Sequence, residues 1–141
     1  MALKATKAEV WAVSIDDRAG SVADKLEPLV EAGANFEMVF ARRTPEKSGK
    51  GMLFVTPVKG AKVTRAAREV GMGTPRNIYS VRIEGADRPG LGAKIARALG
   101  DAGISFRGIS GIAIGRKFVS FIACDRAEDQ TKAITAVRKL K

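Results

Sequence analysis

Two segments of the chain, seventy residues apart, have nearly the same sequence. Three pieces recur at this constant offset without a gap: Asp17–Gly20 with Asp87–Gly90, Glu31–Gly33 with Asp101–Gly103, and Phe36 with Phe106. Self-similarity at a fixed period indicates a repeated structural unit. The repeated piece reads as a strand, a tight turn containing glycine and a helix. We therefore expect two copies of one small fold.

Apolar spacing extends the pattern on both sides of each turn. Val22, Leu26 and Leu29 in the first copy, like Ile95 and Leu99 in the second, recur at the spacing of one helix face. Alternating segments then predict two strands and a further helix, so each copy reads βαββα. This order predicts the α+β class, with two ferredoxin-like βαββα(β) repeats whose antiparallel sheets carry their helices on one face as an α/β sandwich. The expected domains are residues 8–74 and 77–141.

The fourth strand of a ferredoxin-like unit is hard to find in either copy. In the first copy only residues 72–77 are available, and Gly73 and Pro75 interrupt them. The second copy ends with its last helix, and residues 1–7 read as a loose lead-in. We therefore expect open sheet edges, which invite pairing between units or between chains.

The turn-and-helix segments resemble the ACT domain family. The match is strongest from Asp87 to Ser105 and weaker from Asp17 to Asn35, and the βαββα order extends it over nearly the whole chain as a tandem pair. The resemblance implies regulatory domains of ferredoxin-like fold that bind a free amino acid where two such domains meet and that pair side by side. It thus implies a stand-alone tandem amino-acid sensor without a catalytic domain, acting as a homodimer or with a partner enzyme.

The two turns are the candidate ligand sites. A helix N-terminus carries free N–H groups and partial positive charge, which suit an α-carboxylate, and glycine lets a ligand approach the backbone. An aspartate there would accept a hydrogen bond from the ligand's ammonium group. The start of the following strand is expected beside the turn, as a wall for the ligand side chain. The candidate residues are Asp87, Arg88, Pro89, Gly90, Leu91, Ser105 and Phe106 in the second copy, and Asp17, Arg18, Gly20, Ser21, Asn35 and Phe36 in the first.

A purely local explanation of these turns stays open beside the ligand hypothesis. Aspartate is a common helix cap, proline suits a first helical turn, and glycine relieves strain there. Arg18 and Arg88 are expected in solvent rather than on a ligand. Because Ala19 stands where the family has proline, the second turn is favoured if only one of them binds.

Composition excludes several kinds of function. The chain has no histidine, which removes the commonest general base and metal ligand, and no nucleophile–base pair stands out. We therefore expect no enzyme activity, no metal and no cofactor. The single Cys124 reads as a small buried hydrophobe of a reducing compartment. Since no segment reads as a membrane span or signal peptide, we expect a cytoplasmic location.

Two alternative functions remain. The net charge of +10 lies in both sequence halves and attracts polyanions. RNA-recognition domains share the βαββαβ order and stack bases on sheet aromatics, for which Trp11 and Phe54 are the candidates. Nucleic acid is nevertheless not the expected partner, because the aromatic pattern is incomplete and RNA binding leaves the Asp-Arg-Pro-Gly turn unexplained. The other alternative is a ligand-free interaction module that uses its open sheet edges.

Overall fold

The computed structural model describes residues 2–140. Over these residues the chain forms seven strands and four helices. In chain order they are β1 (Lys4–Ala8), β2 (Trp11–Asp16), α1 (Ser21–Glu31), β3 (Met38–Arg43), β4 (Lys50–Thr56), α2 (Ala61–Glu69), β5 (Tyr79–Ala86), α3 (Leu91–Asp101), β6 (Phe106–Ile114), β7 (Lys117–Cys124) and α4 (Ala127–Arg138).

The chain divides into two compact units, one of which is inserted into the sequence of the other. The inserted unit is Glu9–Pro75, and the split unit is Met1–Ala8 together with Arg76–Lys141. Each unit has its own hydrophobic core. The α+β class and the antiparallel, ferredoxin-like organisation expected from the repeat are confirmed.

The inserted unit packs α1 and α2 on one face of a three-stranded antiparallel sheet of order β2-β4-β3. Side chains that alternate along β2 and β4 point to this face, and the helices add Leu29 and Ala67, both fully buried. After α2 the chain returns beside β2 for a single bridge, in which Ala12 and Gly73 exchange backbone hydrogen bonds of 2.8 and 3.1 Å. The bridge lies within residues 72–77, the segment that the sequence analysis considered for the fourth strand of the first copy.

The split unit completes its sheet with a strand from the start of the chain. Its order is β1-β5-β7-β6, all antiparallel, and the core contains buried residues from β1, β5, β7, α3 and α4. Leu3 and Ala5 are 5% and 1% exposed. The expectation of a loose lead-in over residues 1–7 is therefore wrong, because this segment supplies the fourth strand that the second copy lacks.

The division into units also redistributes the charge. The inserted unit has ten Lys or Arg against nine Asp or Glu, whereas the split unit has fifteen against six. The net charges are thus +1 and +9. The positive excess looked evenly spread along the sequence only because Lys4, Lys7 and Arg76 belong to the split unit.

Candidate functional site

The turn that begins α1 is held by backbone hydrogen bonds. The amide of Ser21 donates to the carbonyl of Arg18 at 3.3 Å, and the amide of Asp24 donates to the carbonyl of Gly20 at 2.9 Å. Gly20 stands at the N-cap with φ 85°, a left-handed conformation that only glycine adopts without strain. The glycine is therefore needed for the turn itself, whether or not a ligand approaches it.

The start of α1 is chemically open. No side chain among residues 2–140 caps it by a hydrogen bond, and the amides of Val22 and Ala23 have no acceptor within that part of the chain. Such amides carry the partial positive end of the helix dipole. The local explanation by an aspartate cap therefore does not describe this turn.

A cleft of about 550 Å³ lies beside the same turn. All of its walls come from the inserted unit, including the ends of β2 and α2 and the first turn of α1. Its lining combines three cations with three carboxylates and few apolar groups. The lining residues are Ser14, Ile15, Asp16, Arg18, Ser21, Asp24, Lys25, Lys50, Glu69 and Val70.

Hydrogen bonds orient the charged groups of the cleft. The Lys50 ammonium donates to the Asp16 carboxylate, and the Arg18 guanidinium donates to Asp24 at 2.9 Å. The hydrogen bond from Lys50 and the charge of that ammonium hold the pKa of Asp16 below its usual value of 3.8. Since these side chains are about half exposed, a charged ligand can replace either partner at small cost.

Lys25 is held differently from the other two cations. Its ammonium donates at 3.0 Å to the carbonyl of Val70, at the C-terminal end of α2. A cation at this end of a helix complements the unpaired carbonyls and the negative end of the dipole. The bond therefore joins α1 to α2 across the cleft and fixes a positive charge on its wall.

The structure brings only some of the expected first-copy residues to the cleft. Arg18 and Ser21 line it, whereas Asp17 and Gly20 do not. The Asp17 carboxylate instead accepts a hydrogen bond from Arg43 at 2.8 Å. Its backbone amide donates at 2.9 Å to Gly49 in the hairpin between β3 and β4.

The second turn has the same backbone but different surroundings. Gly90 caps α3 with φ 81°, no side chain of residues 2–140 caps that helix, and the amide of Asp87 donates to the carbonyl of Arg116 at 2.8 Å. Asp87, Pro89 and Gly90 are exposed, Arg88 is partly buried, and Leu91 is a core residue with 1% exposure.

The strand starts that were expected beside the turns lie at the other end of each sheet. Phe106 is opposite Cys124, which is opposite Tyr79, whereas the turn follows Ala86. Seven steps of about 3.4 Å separate Tyr79 from Ala86, or roughly 24 Å. The expectation of proximity is wrong within each unit, because the helix carries the chain back before the next strand begins. The residues concerned are Asn35, Phe36, Ser105 and Phe106.

Most of the cleft residues were missed because the repeat directed attention to shared positions. Asp16 and Asp24 have Ala86 and Lys94 at the offset of seventy, so the two copies differ at these two lining positions. Lys50 was not predicted as a site residue because β4 and β7 begin sixty-seven residues apart, so this position does not follow the offset of seventy. The positions at which the two copies differ, Asp16 and Asp24 among them, were therefore the signal in the sequence that pointed to this cleft.

Trp11 does not serve the RNA-binding alternative. Its side chain is 5% exposed in the core of the inserted unit, and its indole donates to Glu9 at 3.1 Å. The Arg68 guanidinium lies 5.3 Å from the ring centroid as a cation–π contact. Phe54 lies on the opposite face of the sheet, and its ring centroid is 6.2 Å from that of Phe40. Because Trp11 is enclosed, it cannot stack on a base.

Residues 2–140 contain no group of three side chains suited to hold a metal ion, and no helix within them is long and apolar enough to cross a membrane. Cys124 is fully buried, and burial raises the pKa of its thiol to about 11. A thiol that stays protonated is a packing group rather than a nucleophile.

Comparisons with known proteins agree with this architecture. A Bacteroides thetaiotaomicron protein has the same fold, with a TM-score of 0.76, 15% identity and coverage of 97% of this chain and 99% of that one. The fold is also similar to the ligand-free regulatory subunit of aspartate kinase from Thermus thermophilus, with a TM-score of 0.63, 18% identity and coverage of 97% of each chain. For Clostridium acetobutylicum aspartate kinase the TM-score is 0.57 and the identity 18%, and the match covers 96% of this chain but 33% of that one. No curated protein sequence matches the chain.

A family model matches the larger part of the split unit. The ACT domain model matches residues 79–141, which run from β5 through α4 and include the second turn. The structural neighbours include regulatory subunits of aspartate kinase whose fold extends over both units. An ACT domain is thus found at residues 79–141, which make up somewhat less than half of the chain.

Proposed function

We propose that this protein is a sensor that binds a free amino acid in the cleft beside Asp16–Ser21 of the inserted unit. One observation carries the proposal: the uncapped start of α1 adjoins a cleft that holds both signs of charge. A zwitterion needs both signs close together. The ACT family adds support, because the resemblance of the chain to it implies a regulatory, ligand-binding role.

The residues of the cleft suit the two ends of an amino acid. The free amides of Val22 and Ala23, together with Arg18 of the same turn, would receive the α-carboxylate. Asp24 would receive the α-ammonium group once Arg18 turns toward the ligand. The exchange is inexpensive because the Arg18–Asp24 pair is exposed.

The remaining lining indicates the class of side chain. Ile15 and Val70 are its two apolar members, while Ser14, Lys25 and Glu69 are polar or charged. Because polar groups that a ligand covers need partners, such a wall favours an amino acid with a polar or charged side chain over a branched aliphatic one. The second turn is the weaker candidate, since Leu91, which is packed in the core, stands there at the position that Ser21 occupies in the wall of the cleft.

A sensor of this kind acts through a partner. Regulatory subunits of aspartate kinase share the fold, so an enzyme subunit of that class is the first partner to test. The ligand-free interaction module is the rival function, and the two differ in one observable. Only the sensor gains stability from a free amino acid.

The test is a thermal-shift screen against the twenty amino acids, followed by calorimetric titration of any that respond. A ligand at about 100 times its dissociation constant adds about 2.7 kcal/mol to the stability of the folded state. For a unit of this size we expect a rise of roughly 10–20 °C in melting temperature. Absence of any response would leave the interaction module as the function.

Two matched variants locate the site. Arg18→Ala removes a cation from the cleft, and Arg88→Ala removes its counterpart at the second turn. We expect the first change to weaken binding roughly 10- to 100-fold through the loss of a charge-assisted hydrogen bond. The second should leave binding unchanged. The reverse result would move the site to Asp87–Leu91.

A further inference from the structure

The sheet of the inserted unit carries two phenylalanines on the face away from its helices. Phe54 lies in β4 between Leu53 and Val55, whose side chains are fully buried in the core, so its own side chain points to the other face. Phe40 of β3 is opposite Phe54 in the register and is 49% exposed. The two ring centroids are 6.2 Å apart, and the ring planes differ by 30°. This face therefore presents two aromatic rings side by side.

Two methionines extend the apolar surface around the phenylalanines. Met38 precedes Phe40 by two residues in β3, and Met52 precedes Phe54 by two residues in β4. Because side chains two apart along a strand share a face, all four belong to what we term the outer face of this sheet. Both methionines are partly buried. A contiguous apolar surface of this kind marks a site that contacts another molecule.

Arg42 places a positive charge at one end of the outer face. It follows Phe40 by two residues in β3, lies opposite Met52 and is exposed. Its guanidinium donates to the backbone carbonyl of Arg43 at 3.2 Å, and no carboxylate of residues 2–140 pairs with it. A cation without a carboxylate partner, beside aromatic rings, suits a ligand that combines flat rings with negative charge, as nucleic acids do.

Strand β4 has the sequence pattern of the third strand in RNA-recognition domains. That pattern begins K/R-G-F/Y-G/A-F-V, and residues 50–55 read Lys-Gly-Met-Leu-Phe-Val, in agreement at four of six positions. In the structure β4 is the central strand, between β2 and β3, and such domains stack bases on the aromatic side chains of their sheet. The aromatic pattern is incomplete along β4 itself, and Phe40 of the neighbouring strand supplies a second accessible ring.

We propose that the outer face binds single-stranded RNA, with neighbouring bases stacked on Phe40 and Phe54 and a phosphate on Arg42. The RNA is single-stranded because bases in a duplex stack on one another about 3.4 Å apart and leave no base face for a side chain. RNA fits better than a protein surface, since the net charge of +10 attracts a polyanion and the β4 pattern is one of RNA binding. The inference goes beyond amino-acid binding, and no amino acid is needed to test it.

The first test measures binding of a fluorescent ten-nucleotide RNA of mixed sequence to the full chain by anisotropy. Phe40→Leu keeps an apolar side chain but removes the ring, and should weaken binding roughly 5- to 100-fold, whereas Phe40→Tyr keeps the ring and the affinity. Because Phe40 is about half exposed, both variants should fold, as circular dichroism will show. Val39→Ala is the control, since Val39 is 47% exposed on the other face of β3 and should leave binding unchanged.

Two results of this test would overturn the proposal. RNA binding that Phe40→Leu leaves intact would come from the general positive charge of the chain and not from the outer face. A parent chain that does not bind the RNA would leave this face as a docking surface for a protein.

The second test locates the phosphate contact. Arg42→Gln and Arg43→Gln each remove one positive charge from neighbouring positions, but Arg43 lies on the other face of β3 and donates to Asp17 at 2.8 Å. The affinity is measured between 50 and 200 mM salt, where each phosphate contact adds about 0.7 to the slope of log affinity against log salt. We expect Arg42→Gln to lower that slope by about 0.7 and Arg43→Gln to leave it unchanged. An equal effect of the two changes would overturn the assignment to the outer face.

Two comparison ligands define the kind of nucleic acid. Ser14 is exposed on the outer face, opposite Met52, and offers a hydroxyl to the 2′-OH that RNA has and DNA lacks. The single-stranded DNA of the same sequence should therefore bind more weakly than the RNA. A duplex of the same RNA should also bind more weakly, because its base faces are covered. Tighter binding of the DNA or of the duplex than of the single-stranded RNA would overturn the proposal.

Discussion

Ala5 lies opposite Ile83 in the register of β1 and β5, so a residue near the start of the chain pairs with one seventy-eight positions later. The backbone carbonyl of Ala5 also accepts a hydrogen bond of 2.9 Å from Arg138 of α4. The N-terminal strand is thus held by its neighbour in the sheet and by the last helix. Its contribution to stability belongs to the split unit and not to the inserted unit, which follows it directly in sequence.

We expect Ala5→Asp to destabilise the split unit. Ala5 is 1% exposed, so the change buries a carboxylate without a partner and should cost roughly 3 kcal/mol or more. Hydrogen exchange of the β5 amides measures the loss. Thr6→Asp is the control, because Thr6 is exposed on the other face of β1. Equal effects of the two variants would contradict the place of β1 in the core.

Gly51→Ala should destabilise the inserted unit by about 2 kcal/mol. A Cβ at this position would lie 2.6 Å from the backbone carbonyl oxygen of Arg42, and a backbone atom of a paired strand cannot move without disturbing the sheet. Gly100→Ala in α3 is the opposite case. Beyond the adjacent residues and the backbone of its own helix, no described atom lies within 4 Å of the new methyl group, so alanine should stabilise that helix by roughly 0.5–1 kcal/mol. Chemical denaturation measures whether the free energy of unfolding falls for Gly51→Ala and rises for Gly100→Ala.

Lys50→Met should raise the pKa of Asp16 toward 3.8. The hydrogen bond and charge of Lys50 lower this pKa in the folded protein, so the pair stabilises the fold above about pH 4. That contribution is lost as the pH falls through the folded pKa. Titration of the Asp16 carboxyl by NMR in the two proteins measures the shift. Lys47→Met, which removes a neighbouring hairpin lysine, should leave the Asp16 titration unchanged, and an equal shift would refute the assigned cause.

Cys124 should react slowly with a thiol reagent such as DTNB at pH 8 while the protein is folded. Burial first, and then the charges of Asp129 and Asp125, raise the pKa of its thiol to about 11 from an ordinary value of 9.0. A raised thiol pKa favours folding below the unfolded value, and this contribution disappears as the pH rises from about 9 to 11. Reaction at the full rate after denaturation is the control. A fast reaction of the folded protein would contradict the burial of Cys124.

The repeat allowed the local elements to be predicted. Helices α1 and α3 run over residues 21–31 and 91–101, at the offset of seventy, because the glycine turn and the helical spacing of apolar residues are properties of short segments. The offset of seventy does not hold beyond the hairpins β3–β4 and β6–β7, because β4 and β7 begin sixty-seven residues apart. The strands after each helix begin at Met38 and Phe106, so Asn35 and Ser105 fall outside them.

The amino-acid sequence by itself determined the βαββα order, both glycine turns and the ACT resemblance, since each depends on residues near one another in the chain. Only the tertiary structure decided that Leu3 and Ala5 complete the second sheet, and that Asp16, Lys25 and Lys50 meet around one cleft. The reason is physical. Strand pairing and clefts depend on which distant segments come together, and backbone hydrogen bonding allows many such pairings that no local pattern distinguishes.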